Sequence, residues 1–376
     1  MLCWKCMNEY TGYRCPKCGF DSESYEPVPT ALHPGTVLNE RYLLGAVLGK
    51  GGFGITYIGY DNMLRQKVAV KEFFPSSVAY RDSNRTKEIS LQSSDMAQVY
   101  SNGVRKFYDE AVTMSKLRNI PSIVGIFDFF YENNTAYIVM EYIDGTAVDK
   151  IVMNQGGLDI DMTLTIYYPI IQALKRVHSA GILHRDISPS NIMLDDKFRA
   201  RLIDFGSSRA YSHEMSTDLT VILKKGFAAA EQYTRRGKHG PAEDVYSLCA
   251  SMYYTLTGKV PPAAPDRRVF DTLQPIRSMG VDIPENIEKI IMKGMAVNEV
   301  DRYSDMEELS NAIDAAVMGE APPEIETVKE RIEKGHGAER ARKISPVPDP
   351  QIALLMGAGV IFVLLVVILL VLLLKG

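Results

Sequence analysis

Apolar and polar residues alternate from Tyr42 to Tyr60 around a cluster of glycines, which predicts two strands joined by a tight turn. Lys67 to Phe73 and Ala136 to Tyr142 have the same alternating or apolar character and predict two further strands. The apolar spacing becomes helical over Val104 to Leu117, and helical patterns dominate from residue 160 onward. The central part of the chain is therefore expected to be rich in strands first and helical afterwards.

A second hydrophobic pattern occupies residues 352–374, where no side chain is charged or able to form a hydrogen bond. As a helix this run would be roughly 35 Å long, enough to cross a hydrocarbon core of about 30 Å. Arg340, Arg342 and Lys343 precede it and indicate the cytoplasmic side. We expect a single-pass anchor in the cell membrane with the preceding domains in the cytoplasm.

The distribution of prolines and charged residues along the chain predicts its domain boundaries. Prolines and acidic residues mark an extended linker after the first twenty residues, and prolines with mixed charges mark a tether before the apolar run. The expected regions are a cysteine module at 1–20, a linker at 21–40, the main domain at 41–317, a juxtamembrane tether at 318–351 and a transmembrane helix at 352–374.

Composition narrows the class of protein. The chain is 46% hydrophobic and 23% charged, which is typical of a globular protein. Its net charge of −4 lacks the basic excess of a nucleic-acid binder, so no nucleic-acid partner is expected. Four of the five cysteines lie in the first 18 residues, a distribution that favours a reducing compartment over a disulfide framework.

Those four cysteines form two Cys-x2-Cys pairs, Cys3 with Cys6 and Cys15 with Cys18. Two such pairs complete a tetrahedral Cys₄ site, and twenty residues have too little core to fold without a bound metal. An iron centre and a redox dithiol pair are the alternatives to zinc. The segment resembles a short zinc ribbon, which implies structural zinc and a role in protein docking or self-association, including a possible homodimer.

The main domain carries motifs in a fixed order. They are Gly49-Lys50-Gly51-Gly52-Phe53-Gly54, Val68-Ala69-Val70-Lys71, Glu110 on the next helix, the strand Tyr137–Tyr142, His184-Arg185-Asp186-Ile187-Ser188-Pro189-Ser190-Asn191 and Asp204-Phe205-Gly206. Glycines between two strands let the backbone approach a polyphosphate. The ordered set resembles the eukaryotic-type serine/threonine protein kinases of bacteria across residues 41–317.

The resemblance implies an α+β, two-lobed protein kinase fold with a strand-rich N-lobe and a helical C-lobe. It implies phosphorylation of serine and threonine hydroxyls on protein substrates, including autophosphorylation, with ATP and Mg²⁺ or Mn²⁺. Lys71, oriented by Glu110, pairs the α/β-phosphates in this family. Asn191 and Asp204 hold the metal, and Asp186 accepts the proton of the substrate hydroxyl.

Further roles follow from the same resemblance. The loop from Gly49 to Gly54 covers the phosphates, Met140 is the gatekeeper, and the backbones of Glu141 and Ile143 bind adenine. His184 is structural, Asp244 braces the catalytic loop, and Glu231 pairs with Arg302.

Arg185, beside Asp186, is typical of kinases controlled by activation-loop phosphorylation, with Ser216, Thr217 and Thr220 as candidate sites. Two other functions stay open: a pseudokinase that binds nucleotide, and a membrane adaptor or scaffold.

The chain departs from the family pattern in four places. Thr56 replaces the usual valine, residues 72–103 are longer than usual, and Ala230 replaces the proline of Ala-Pro-Glu. Ser188 stands where the catalytic loop has a lysine, and Lys225, or Lys224, stands where a threonine is expected. One hypothesis is that this lysine supplies the missing ammonium from the opposite side. The other is that the loss at Ser188 is tolerated and Lys225 is solvated.

Overall fold

A six-stranded antiparallel sheet forms the first half of the fold, with strands in the order β1-β2-β3-β4-β8-β7. The computed structural model describes residues 1–205, 223–234 and 239–319. The strands of this sheet are β1 Val37–Leu38, β2 Tyr42–Lys50, β3 Gly54–Asp61, β4 Gln66–Phe73, β7 Ile126–Glu132 and β8 Thr135–Glu141. The strands predicted over Tyr42 to Tyr60, Lys67 to Phe73 and Ala136 to Tyr142 are confirmed, whereas β7 was not predicted.

The alternation of apolar residues explains why this sheet forms. In β3 the side chains of Ile55, Tyr57 and Ile58 are fully buried, and Val68 and Val70 of the neighbouring β4 are buried against them. β-branched and aromatic residues suit a pleated, buried surface, so these strands pair in a fixed register.

The long segment 72–103 contains a small hairpin, β5 Ala79–Tyr80 and β6 Ser90–Leu91. Arg81 follows β5 and forms a buried ion pair with Glu72 of β4. Helix α1 runs from Ala97 to Ser115, begins earlier than its predicted start, and packs against β7 and β8. This contact places Glu110 next to the sheet.

The second half is helical apart from a three-stranded sheet made of β9 Gly145–Ala147, β10 Ile192–Asp195 and β11 Ala200–Leu202. Its helices are α2 Val148–Gln155, α3 Ile160–Ser179, α4 Pro241–Thr257, α5 Ala264–Val269, α6 Glu285–Gly294 and α7 Met306–Val317. Short 3₁₀ helices lie at Ser94–Met96, Pro189–Asn191, Ala230–Tyr233, Arg277–Met279 and Glu299–Asp301.

Local signals fix the ends of these helices. Asp159 caps α3 by accepting a hydrogen bond from the backbone N–H of Met162 at 2.7 Å. Pro241 begins α4, and Gly258 ends it in the left-handed conformation. Nearly every side chain of α4 is buried, so this helix is the centre of the helical half.

The N-terminal region packs on the sheet. Ala31 and Leu32 are buried, and β1 pairs with β2. The second half of the segment 21–40 therefore differs from the extended linker predicted there, because its apolar residues cover the edge of the sheet.

Several expectations fall outside the described residues. These are the candidate phosphorylation sites Ser216, Thr217 and Thr220, almost all of the tether at 318–351 and the predicted transmembrane segment at 352–374. Within residues 1–205, 223–234 and 239–319, no helix is both long and apolar enough to cross a bilayer.

Candidate active site

A cleft of about 520 Å³ lies between the six-stranded sheet and the helical half. Pockets of this size suit small-molecule ligands such as nucleotides. Its lining includes the predicted residues Gly49, Thr56, Met140, Glu141, Ile143 and Asp204. It also includes residues that the sequence argument did not assign to the site: Leu48, Val124, Tyr142, Gly145, Thr146, Ala147, Asp149, Lys150, Ser190, Met193 and Ile203. The apolar residues of this set could not be assigned to the site from the sequence, because residues of an ordinary hydrophobic core have the same pattern.

Lys71 lies at the inner end of this cleft, on β4. Its Nζ is 2.6 Å from Oδ1 of Asp204. A smaller cavity next to the cleft is lined by Lys71, Asp204 and Glu110. Burial alone would lower the pKa of Lys71, but the carboxylates of Asp204 and Glu110 outweigh burial and raise it. Burial would raise the pKa of Asp204, and Lys71 instead holds it below its usual value. Both groups are therefore charged at neutral pH.

Asp186 and Asn191 face each other in the loop before β10. The Nδ2 of Asn191 donates to the backbone carbonyl of Asp186 and to its Oδ2, both at 2.8 Å. Because the amide nitrogen is used in this way, the amide oxygen is left to bind a cation. Asp204 has a positive φ of 56°, an uncommon conformation for a residue with a side chain and one that often occurs at functional sites.

The backbone of this loop is held by Asp244 of α4. The carboxylate of Asp244 accepts hydrogen bonds from the N–H of His184 at 2.8 Å and of Arg185 at 2.7 Å. Burial would raise the pKa of Asp244, but the hydrogen bonds from the side chain of His178 and from the N–H of His184 outweigh burial and lower it. The prediction that Asp244 braces the catalytic loop is confirmed.

His184 is fully buried and packs against Phe205, with ring centroids 4.3 Å apart and the ring planes tilted by 45°. Its Nδ1 accepts from the N–H of Asp186 at 3.2 Å, and its Nε2 lies 3.3 Å from the carbonyl of Ile203. Burial lowers its pKa, so the ring is neutral and donates from Nε2. The predicted structural role of His184 is confirmed.

Lys224 reaches the catalytic loop from the segment 223–234. Its Nζ lies 2.8 Å from Oγ of Ser188, 3.0 Å from Oγ of Ser190 and 3.4 Å from Oδ2 of Asp186. Lys225 is exposed to solvent. The sequence favours Lys225 for this position, whereas the structure places Lys224 there. Both lysines lie in a turn in which the N–H of Phe227 donates to the carbonyl of Lys224 at 3.0 Å, and Lys225 faces solvent.

The glycine-rich turn between β2 and β3 approaches the cleft through Gly49. Within the turn, the N–H of Gly51 donates to the carbonyl of Gly54 at 2.9 Å. The Nζ of Lys50 points the other way and lies 3.0 Å from Oγ1 of Thr30 and 3.3 Å from the carbonyl of Pro29. Of the predicted loop residues 49–54, Gly49 alone is part of the cleft lining among the described residues.

Arg302 and Glu231 form the predicted ion pair of the helical half. Two parallel hydrogen bonds of 2.7 and 3.0 Å join the guanidinium to the carboxylate, and Arg302 is buried. This bidentate geometry fixes the segment that carries Lys224. Cys249, on α4, is fully buried, and burial raises the pKa of its thiol to about 12, as expected for an inert thiol.

The four N-terminal cysteines form one cluster whose sulfurs all lie within 4.8 Å of one another. Cys3 and Cys18 have their sulfurs 3.6 Å apart, and Cys6 and Cys15 have theirs 3.7 Å apart. Tetrahedral zinc with Zn–S bonds of about 2.3 Å requires sulfurs separated by roughly 3.8 Å. A disulfide would need about 2.05 Å. The cluster therefore fits a metal ion.

The two halves of the cysteine cluster are folded alike. The N–H of Met7 donates to the carbonyl of Cys3, and that of Gly19 donates to the carbonyl of Cys15, each at 2.8 Å. Met7 and Gly19 both have positive φ, of 51° and 69°. Such paired turns present two sulfurs from each half to one centre.

Comparison with known proteins decides the family. The family model described as "Protein kinase domain" matches residues 42–312. The chain belongs to the protein kinase family. A solved structure titled "PpkA-294 apo form" is 29% identical, with a TM-score of 0.68, and the match covers 76% of this chain and 99% of that one.

Curated relatives carry the same family name. The serine/threonine-protein kinase PknB of Mycobacterium leprae is 31% identical over 304 residues, which is 77% of this chain and 45% of the relative. The serine/threonine-protein kinase PrkC of Bacillus subtilis is 27% identical over 289 residues, 75% of this chain and 41% of the relative. The matches thus span less than half of the length of these two relatives.

Proposed function

We propose that this kinase domain transfers the γ-phosphoryl group of ATP to serine or threonine hydroxyls on proteins, including its own chain. The observation that carries the proposal is that Lys71 pairs with Asp204 at the cleft, and that Asp186, hydrogen-bonded to Asn191, is close enough to act electrostatically on Lys71. The printed names of the curated relatives support the serine/threonine specificity.

Each of these groups has a role in the proposed transfer. The substrate oxygen forms a bond to the γ-phosphorus while the bond from that phosphorus to the β,γ-bridging oxygen breaks. ADP leaves with the electron pair, and the hydroxyl proton passes to the carboxylate of Asp186. Asp204 and the amide oxygen of Asn191 fit Mg²⁺ or Mn²⁺ because both are oxygen ligands, and the metal neutralises charge on the phosphates. Lys71 binds the α/β-phosphates, and the backbones of Glu141 and Ile143 bind adenine.

Transfer of radiolabel from γ-labelled ATP to the chain and to a serine/threonine peptide tests this function. Asp186→Asn should lower turnover by about 10²-fold to 10⁴-fold, because it removes the proton acceptor, while leaving binding of an ATP analogue intact. A wild-type chain that binds the analogue and transfers no label would instead support the pseudokinase, and one that binds no nucleotide would support the scaffold.

Lys224 supplies the ammonium that the catalytic loop lacks at Ser188. This proposal is supported by the short distances from its Nζ to Ser188 and Asp186, and by its electrostatic effect on Asp204. A cation there neutralises charge that develops on the transferred phosphoryl group, and lysine does this without bidentate geometry.

Lys224→Met should lower kcat by about 10²-fold, and Lys225→Met is the matched control because that neighbour is exposed. The exchange Ser188→Lys with Lys224→Thr should restore much of the rate by returning the ammonium to the loop. Binding of a non-hydrolysable ATP analogue relative to ADP gives a second readout, since a γ-phosphate contact favours the analogue. Unchanged kcat in Lys224→Met would leave Ser188 as a tolerated loss.

Residues 1–20 bind one structural zinc through Cys3, Cys6, Cys15 and Cys18, as their sulfur spacing supports. The Nδ2 of Asn8 lies 3.1 Å from Sγ of Cys6, a contact of the kind that orients metal ligands. Metal analysis should find one zinc per chain and none in Cys3→Ser/Cys6→Ser. One iron per chain, or sulfurs that cycle between dithiol and disulfide, would establish the alternatives.

Residues 352–374 anchor the kinase in the cell membrane with the catalytic domain on the cytoplasmic side, a proposal that rests on the sequence pattern. Deleting them should release the kinase from membranes with its peptide activity retained. Persistent membrane binding would argue against the segment.

Ser216, Thr217 and Thr220 are the proposed activating sites, supported by Arg185 beside Asp186. Mapping autophosphorylation in the wild-type chain tests this assignment. Sites found solely outside 207–225 would contradict it.

A further inference from the structure

The N-terminal region touches the strand that leads into the glycine-rich turn. The N–H of Ala46 on β2 donates to the carbonyl of Trp4 at 2.7 Å. A Cβ built on Gly45 would lie 2.3 Å from that carbonyl, a clash with backbone that a side chain could not relieve by rotating, and 2.4 Å from Cε of Met7. Gly45 therefore allows the cysteine module to lie directly against β2.

Thr30 makes a second connection, to the turn itself. Its Oγ1 lies 3.0 Å from Nζ of Lys50, and its carbonyl accepts from Nη1 of Arg81 at 2.9 Å. Arg81 in turn forms the buried ion pair with Glu72, the residue after Lys71. Thr30 thus lies between the glycine-rich turn and the strand that carries the phosphate-binding lysine.

The conformation of Thr30 shows that this position is constrained. Its φ is 68°, which is rare for a β-branched residue and costs free energy unless neighbouring contacts hold it. Leu32, two residues later, is buried, and its N–H donates to the hydroxyl of Tyr57 at 3.0 Å. The hydroxyl of Tyr57 also lies 2.8 Å from Oε2 of Glu72, so one buried network holds the segment.

We propose that residues 1–32 are a positioning element of the ATP site, in which the metal-folded cysteine module and Thr30 hold β2 and Lys50 so that the glycine-rich turn is preorganised for nucleotide. Glycine-rich turns are intrinsically mobile, and each contact that fixes one in its binding position reduces the entropy lost when ATP binds. Loss of the metal would release the module from β2 and weaken nucleotide binding. The inference rests on the proposed ATP-dependent function.

The test measures dissociation constants of the full chain for Mg²⁺ with a non-hydrolysable ATP analogue. Cys3→Ser/Cys6→Ser, verified to lack metal, should weaken binding about tenfold, and Thr30→Val about threefold, as expected from the loss of one or two hydrogen bonds. Thr36→Val is the matched control, because the hydroxyl of Thr36 donates locally to the carbonyl of His33. That variant should bind as the wild type does.

A double-mutant cycle between Thr30→Val and Lys50→Met gives an independent measurement that does not unfold the module. The effects should be non-additive, because both changes break the same contact. Additive effects, or a metal-free cysteine variant that binds the analogue within twofold of wild type, would overturn the inference. A wild-type chain that binds no analogue would overturn the proposed function instead.

Discussion

The catalytic cleft and the N-terminal cysteine module are held in place by different forces. In the cleft, buried charges far apart in sequence fix the backbone, as Asp244 does for His184 and Arg185. In the module, the buried cluster consists of Cys3, Tyr10 and Cys15, with a few half-buried neighbours. The order of the cleft thus belongs to the domain itself, whereas the proposed zinc would supply the order of the module.

This difference has a functional consequence. A cleft fixed by its own ion pairs retains its catalytic geometry whenever the domain is folded. A module held by the proposed metal would respond to metal supply and to thiol oxidation, and its contact with β2 would transmit that response to nucleotide binding. On this proposal the catalytic centre is constant and its N-terminal support depends on the metal.

Breaking the buried ion pair of Arg302 should have the largest effect on stability. Arg302→Met leaves the carboxylate of Glu231 without its bidentate partner and removes bonds to the carbonyls of Ala296 and Val297. We expect a loss of about 3 to 5 kcal/mol in the free energy of unfolding, measured by urea denaturation with circular dichroism.

Lys289→Met is the control for this prediction. Lys289 forms an exposed pair with Glu285, so its loss should leave the denaturation midpoint where it is in the wild type. Similar midpoints for the two variants would contradict the view that the cleft is held by its buried charges.

Removing the proposed metal should change the module and leave the catalytic domain as it is. Trp4 is the single tryptophan of the chain and lies between the first two cysteines, so its fluorescence reports on the module. A strong chelator should change this fluorescence while the helical circular dichroism signal of the domain stays within about a tenth of its initial value.

Thiol reactivity gives the matching chemical readout. After chelation, four thiols should react with a disulfide reagent in the native chain, while Cys249 reacts after unfolding, because it is fully buried with its pKa raised to about 12. Simultaneous reaction of all five thiols would show that the module and the domain unfold together.

Sequence reasoning succeeded where chemistry imposes residue types at fixed spacing. Lys71, Asp186, Asn191 and Asp204 come together as expected, and the cysteine spacing gives one cluster. The alternation of apolar residues also predicted β3 and β4, because a buried sheet face requires it.

It failed where the outcome depends on tertiary contacts. Nothing in the local sequence distinguishes Lys224 from Lys225, since the ammonium that enters the site depends on how the turn 224–227 lies against the catalytic loop. The packing of Leu32 on the sheet depends on Tyr57, a residue distant in sequence. Such contacts are visible once the strands are in register.

The smallest expected effect is the acid sensitivity that His184 gives to the cleft. Burial lowers the pKa of His184 in the folded chain, whereas the unfolded chain has a pKa near about 6.5. Below that pH the unfolded chain binds more protons than the folded one, so the stability present at neutral pH is lost as the pH falls.

His184→Gln removes the titration while keeping an acceptor for the N–H of Asp186 and a donor for Ile203. Between pH 7 and 5.5 the free energy of unfolding should fall further in the wild type than in this variant, read from helical circular dichroism so that Trp4 and the module do not contribute. Parallel pH profiles for the two proteins would mean that the acid response arises outside the cleft.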